Sequence, residues 1–157
     1  MTGGEAPHLA IGRAAEEAAC RHLERAGYRI LVRNFRHRLG ELDVVAIEGG
    51  TLALVEVRYR ASARYGGAAA SVTAAKRRRL ARAAQVLLKR QPALAALPAR
   101  FDVVDVQGPA GELRCRLIRA PAPARFVGWP PVVEGWGSSW PTQTGDVDRE
   151  RSSRASG

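Results

Sequence analysis

Two apolar, β-branched runs at residues 42–47 and 52–58 stand on either side of Glu48-Gly49-Gly50-Thr51. A Gly-Gly step between such runs points to a β-hairpin, because the tight turn joining two twisted strands needs positive φ at its central residues. The rest of the chain is arranged about that hairpin. Upstream, Ile11, Ala14, Ala15, Ala18, Ala19, Leu23 and Ala26 recur at helical spacing, and Gly27 follows as a stop. Residues 28–32 then read as a short strand and residues 33–40, RNFRHRLG, as a basic connection whose final Gly permits a tight turn. Downstream, a Gly/Ala-rich loop leads to Ser71-Val72-Thr73, the cap candidates for a second helix running to about Arg90, with Val72, Ala75, Leu80, Ala83, Ala84 and Leu87 as its apolar stripe and Pro92 as its end. Residues 100–107 and 112–119 read as two more strands about a Gly-Pro-Ala-Gly turn.

The expected fold class is therefore α/β, with one domain over residues 11–120. Residues 121–157 form a Pro/Trp/Gly-rich tail, expected to be disordered toward its end. Its Trp129, Trp136 and Trp140 either stack on unpaired bases or, nearer the domain, pack against it.

With 157 residues the chain has room for one such core, and 25 Lys+Arg against 15 Asp+Glu give a formal charge of +10. That excess favours a phosphate-bearing partner. Lys occurs only at positions 76 and 89, so part of the basic character is an Arg bias of composition. No apolar run reaches the roughly 18 residues of a membrane span, and the start MTGGEAPHLA has no signal-peptide pattern, so a soluble, cytoplasmic protein with no membrane partner is expected. Cys20 and Cys115 lack companions at ligand spacing and read as small core residues. His8, His22 and His37 likewise have no second His at ligand spacing.

The chemistry concentrates in Gly40-Glu41-Leu42-Asp43 and in Val55-Glu56-Val57-Arg58-Tyr59-Arg60. Strand alternation puts Glu56 and Arg58 on one face and Val55 and Val57 on the other. Asp43 lies near the beginning of the partner strand, and the Gly49-Gly50 turn can bring it toward Glu56. Two converging carboxylates repel unless a cation sits between them, and Mg²⁺ favours one or two carboxylates plus phosphate oxygens. The constellation suggests phosphodiester cleavage. On helix one, Glu16 shares a face with Ala19, Cys20 and Leu23, whereas Glu17 aligns with Arg13, Arg21 and Glu24 on the solvated side. A carboxylate at the edge of an apolar stripe calls for a partner, either a hydrated metal or an Arg. A second reading needs no metal: Asp43 as a strand-end turn former, Glu56 and Arg58 as an ion pair, and Glu16 partnered by Arg36 or Arg38.

Taken in order, Gly12 with Glu16, Leu23, Gly27-Tyr28, Asn34, Gly40-Glu41-Leu42-Asp43, the run from Val55 to Arg60, Tyr65-Gly66-Gly67, Ser71-Val72-Thr73, Lys76 and Arg100-Phe101-Asp102-Val103-Val104 strongly resemble the bacterial YraN family. The resemblance spans residues 11–106. It implies a restriction-endonuclease-like domain, a central mixed sheet flanked by helices, with the PD-(D/E)xK arrangement shared by Holliday-junction resolvases. It further implies that Asp43 and Glu56 ligate Mg²⁺ or Mn²⁺, that Glu16 is the helix-one acid that orients the attacking water, and that Arg58 stands where the pattern has Lys. DNA is the implied partner, and a homodimer follows by analogy of fold alone. The Arg is a departure with consequences: a guanidinium can clamp a phosphate and hold developing charge, but it cannot accept a proton. Lys76, one turn before Leu80, is a candidate substitute. Arg33, Arg36, Arg38, Arg60, Lys76 and Arg77 are expected to contact backbone phosphates. Two rivals remain open, a nucleic-acid-binding module of the same fold without hydrolysis, and a scaffold that works through the tail.

Overall fold

The computed structural model describes residues 6–62 and 74–119. Its elements are α1 (Pro7–Arg25), β1 (Arg29–His37), β2 (Gly40–Glu48), β3 (Thr51–Arg60), α2 (Ala74–Arg90), α3 (Pro92–Ala95), β4 (Ala99–Gln107) and β5 (Arg114–Arg119). The five strands form one mixed sheet in sequence order. Neighbours are antiparallel except for β3 and β4, which run parallel. A parallel pair needs a crossover, and α2 with α3 supplies it. No described helix is long and apolar enough to cross a membrane.

The expected hairpin is β2–β3. Gly49 and Gly50, at φ 56° and 77°, form its two-residue turn between the paired residues Glu48 and Thr51. Burial on both faces explains why β2 and β3 read as nearly continuous apolar runs. On one face Ala15, Ala19, Cys20 and Leu23 of α1 pack with Val44, Ala53, Val55, Val104 and Val106. On the other, Leu80, Ala83, Ala84 and Leu87 of α2 pack with Leu42, Leu52, Leu54, Phe101 and Val103. Cys20 is buried in the first cluster and Cys115 packs against it, both as free thiols.

Several expectations are corrected. The stretch read as a basic connection after a short strand is the second half of β1, whose exposed Arg33 and Arg36 are admissible because β1 is an edge strand with one unpaired side. Pro92 does not merely end α2; it opens the short helix α3. Helix one starts earlier than its apolar stripe, with Pro in its first turn, and Ala75 is exposed. The cap candidates Ser71-Val72-Thr73 and the tail with its tryptophans lie outside the described residues.

Gly40 has a different job from the one its position suggested. The turn is made by Arg38 and Leu39, and Gly40 already pairs with His37 as the first residue of β2. A Cβ at Gly40 would lie 2.0 Å from the backbone carbonyl oxygen of Arg79, so α2 crosses directly over this residue. Gly40→Ala is expected to push α2 off β2 and to cost about 1–3 kcal/mol, read from the urea midpoint; a loss under about 0.5 kcal/mol would contradict the close approach.

The sheet also forks. The β2–β3 ladder runs from Glu48↔Thr51 to Val44↔Val55 and goes no further. Beyond it, residues 40–42 of β2 pair with β1, while residues 56–60 of β3 pair with β4. The β1–β2 ladder steps from Arg33↔Val44 to Phe35↔Leu42, passing over Asn34 and Asp43. Leu42 and Val44 pack on opposite faces although they are two residues apart, so regular alternation breaks at Asp43.

Candidate active site

The fork places Asp43 and Glu56 at its crotch. Asp43 does not face Glu56 as a ladder partner; instead its Oδ2 accepts a hydrogen bond from the backbone N–H of Val57 at 2.8 Å. One carboxylate thus replaces a strand as the acceptor for β3. Glu56 is buried and on the α2 face, following Leu52 and Leu54 along β3.

Burial pushes the Asp43 carboxyl up to about 7, and the negative charge of Glu56 adds to that push. The Val57 N–H pulls the other way, while hydrogen bonding to Glu56 and the charge of Glu16 raise it further. Both of the other expected acids therefore act on Asp43. Glu16 arrives from α1 on the opposite face, where its Oε2 accepts a hydrogen bond from Asn34 Nδ2 at 3.0 Å, not from Arg36 or Arg38. Asn34 holds φ at 53°, a left-handed conformation that Asn tolerates better than most residues. Its position, opposite Asp43 in the irregular stretch of β1–β2, aims its amide at Glu16. That role was not read from the sequence; the only available signal was an Asn, a left-handed former, within an otherwise extended run.

The cation side is supplied from α2. Lys76 Nζ forms an ion pair with Glu56 Oε1, so an ammonium enters the cluster from the helix although the strand position carries Arg58. Arg58 is partly buried on the same face of β3 as Glu56. Burial pulls its guanidinium below the usual value while Glu56 and Asp105 oppose that pull, and it remains a cation at working pH. Its Nη2 is buried with no hydrogen-bond partner among the described residues.

Among the described residues no group of three or more His, Cys, Asp and Glu converges to hold a metal ion. The set offered to a divalent cation is the pair Asp43 and Glu56. This pair fits Mg²⁺, which keeps several waters and needs one or two carboxylates. Burial first and the charge of Glu56 second raise Asp43, and a bound cation would relieve the second; Lys76 compensates Glu56 from α2.

The other expected phosphate contacts divide. Arg33 pairs with Glu17 at 2.7 Å, and Arg36 and Arg38 are exposed about the β1–β2 turn; among the described contacts none of the three is bonded to Glu16, Asp43 or Glu56. Arg60 makes a two-bond fork to buried Asp105, Nε to Oδ1 at 3.2 Å and Nη2 to Oδ2 at 2.6 Å. Arg77 lies on α2, with its side chain outside those described. Asp105, Gln107 and Arg116, which join Arg60 in one network, were not singled out from the sequence.

Comparison with known proteins gives one consistent result. The model of the uncharacterised protein family UPF0102 matches residues 15–106, the span that holds Glu16, Asp43, Glu56 and Arg58. A UPF0102 protein of Symbiobacterium thermophilum is 52% identical over 110 residues, covering 69% of this chain and 92% of the relative. One of Xanthomonas axonopodis pv. citri is 57% identical over 97 residues, covering 62% and 80%. One of Pseudomonas fluorescens is 42% identical over 120 residues, covering 76% and 96%.

Proposed function

The chain belongs to the uncharacterised protein family UPF0102, the YraN family, and from that premise and the geometry of its acids we propose that it is a divalent-metal-dependent endonuclease acting on DNA in the cytoplasm. The observation that carries this reading is the fork in the sheet, which turns Asp43 and Glu56 toward each other and leaves Asp43 raised to about 7 by burial and by Glu56. A structural ion pair would not require two acids to converge at a place where the ladder is interrupted. Perturbed carboxyls of this kind are characteristic of functional sites.

In this reading Asp43 and Glu56 hold Mg²⁺ or Mn²⁺, which when bound supplies Lewis acidity toward the phosphate oxygens. Glu16, fixed through one oxygen by Asn34, uses its other oxygen to orient the attacking water. Arg58, half-buried on the Glu56 face of β3, supplies a fixed positive charge for the phosphate. Lys76 brings a second positive charge to the cluster, on Glu56, from α2. The proposed arrangement is restriction-endonuclease-like, with its ammonium supplied from α2.

The test combines calorimetry and cleavage. Purified protein is expected to give heat on titration with Mn²⁺ or Mg²⁺ and to cut at least one of duplex, single-stranded, flap and four-way-junction DNA, with both signals absent in EDTA. Salt-sensitive DNA binding without metal heat or cleavage would instead support a binding module of the same fold.

A further inference from the structure

Two buried guanidinium nitrogens in the described part of the chain have no hydrogen-bond partner, and both lie in one row across the sheet. Arg58 of β3 is in register with Asp105 of β4, which is in register with Arg116 of β5. Arg58 Nη2 and Arg116 Nε are the orphaned atoms. Between them, buried Asp105 already accepts three hydrogen bonds: Arg60 holds both of its oxygens and Gln107 Nε2 donates to Oδ2 at 2.9 Å, while Arg116 Nη2 stands 3.7 Å from the same oxygen. Three guanidinium groups thus surround one carboxylate, and Arg60 repels Arg58.

A buried donor left unpaired is destabilising, and a native structure that keeps two of them in one row calls for an explanation. The excess of positive charge, the unspent donors and the forked geometry of Arg all match an oxyanion with several acceptor oxygens. The row follows Glu56 by two residues along β3, about 6–7 Å.

We propose that Arg116, with Arg60 beside it on Asp105, forms a phosphate-binding subsite that takes the nucleic-acid phosphodiester next to the one that Arg58 meets. This rests on the nuclease reading but adds a ligand site that extends from β3 across β4 to β5, beside the acids. Asp105 acts as the post that holds Arg60 in place, and β5, the last strand of the sheet, becomes part of the substrate track.

The experiment measures DNA binding in EDTA, where no cleavage occurs, by fluorescence anisotropy over a salt series. Arg116→Gln is expected to lower affinity about tenfold at 50 mM salt and to reduce the salt slope by about 1, as loss of one phosphate contact requires. A neutral methylphosphonate moved along the DNA should weaken binding by the parent at one linkage and have no further effect there in Arg116→Gln. If Arg116→Gln binds as the parent does, or only its melting temperature falls, the row is structural and the subsite is wrong. Should the variant fail to fold, the methylphosphonate scan on the parent decides: no sensitive linkage beside the cleaved one overturns the proposal. A parent that cuts DNA yet shows none of these effects refutes the subsite alone, whereas a parent that binds no DNA refutes the nuclease reading with it.

Discussion

Asp43→Asn is expected to destroy cleavage and, in the same protein, to raise stability. On the catalytic side, removing a carboxylate from a two-carboxylate metal site forfeits several kcal/mol of transition-state stabilisation, so cleavage should fall by about 10³-fold or more. On the stability side the sign is opposite. Asp43 binds its proton more tightly in the folded chain, near 7, than in the unfolded one, near 3.8, because burial and the charge of Glu56 penalise its ionised form. Metal-free stability from this group is therefore full below about pH 4 and is lost as the pH rises through about 7. The amide of Asn carries no charge and keeps an oxygen for the Val57 N–H. At pH 8 in EDTA the variant should melt about 5 °C or more above the parent, and the gap should close by pH 4. Adding Mn²⁺ should stabilise the parent and leave the variant unmoved. A variant less stable than the parent at pH 8 would mean that Asp43 is a structural hydrogen-bond acceptor and little else.

The second large effect lies on the α1 face, toward the Gly49–Gly50 end of the sheet. Asp102, fully buried, accepts hydrogen bonds from Tyr28 Oη at 2.8 Å and from Arg100 Nε at 2.8 Å and Nη2 at 3.0 Å. Arg100 Nη2 also reaches Glu48 at 3.1 Å, and Arg119 Nε donates to Tyr28 Oη at 2.9 Å. Burial pushes the Tyr28 phenol up to about 12. Burial works against Arg100 too, yet its bonds to Asp102 and Glu48 hold it above the ordinary value. Asp102→Ala removes the central anion and leaves Arg100, only 10% exposed, undercompensated. A buried pair broken in this way costs about 3–5 kcal/mol. Urea unfolding should show that loss, with Tyr28→Phe losing about 1 kcal/mol and a clear coupling between the two substitutions. A loss below about 1 kcal/mol for Asp102→Ala would show that Glu48 alone suffices.

What could be read in the sequence follows the range of the interactions involved. The hairpin was legible because Gly49 and Gly50 impose a turn locally, and Glu16 was marked because helical periodicity set it on the apolar side of α1. Lys76 was legible as a candidate because it precedes Leu80 by one turn on the stripe of α2. The rest depends on partners distant along the chain. The second half of β1 looks like a loop because an edge strand tolerates Arg33 and Arg36. The run from Arg100 to Gln107 alternates as a strand should, but nothing local says that Asp102 and Asp105 are buried on opposite faces, each held by Arg. Gly40 looks like a turn residue until α2 is laid across it. Asn34 and the Arg58–Asp105–Arg116 row exist only once the strands are in register.

That dependence on register gives the Gly49–Gly50 turn a reach beyond its own four residues. It sits at the closed end of the fork, remote from the acids, yet its length fixes which side of β3 carries Glu56 and how far Asp43 stands from it. A strand displaced by one residue turns every side chain to the other face, so Glu56 and Arg58 would move to the α1 side and Val57 would take their place. The turn works as a ruler: two glycines set the spacing of two acids they never touch, gauged from the far end of the sheet.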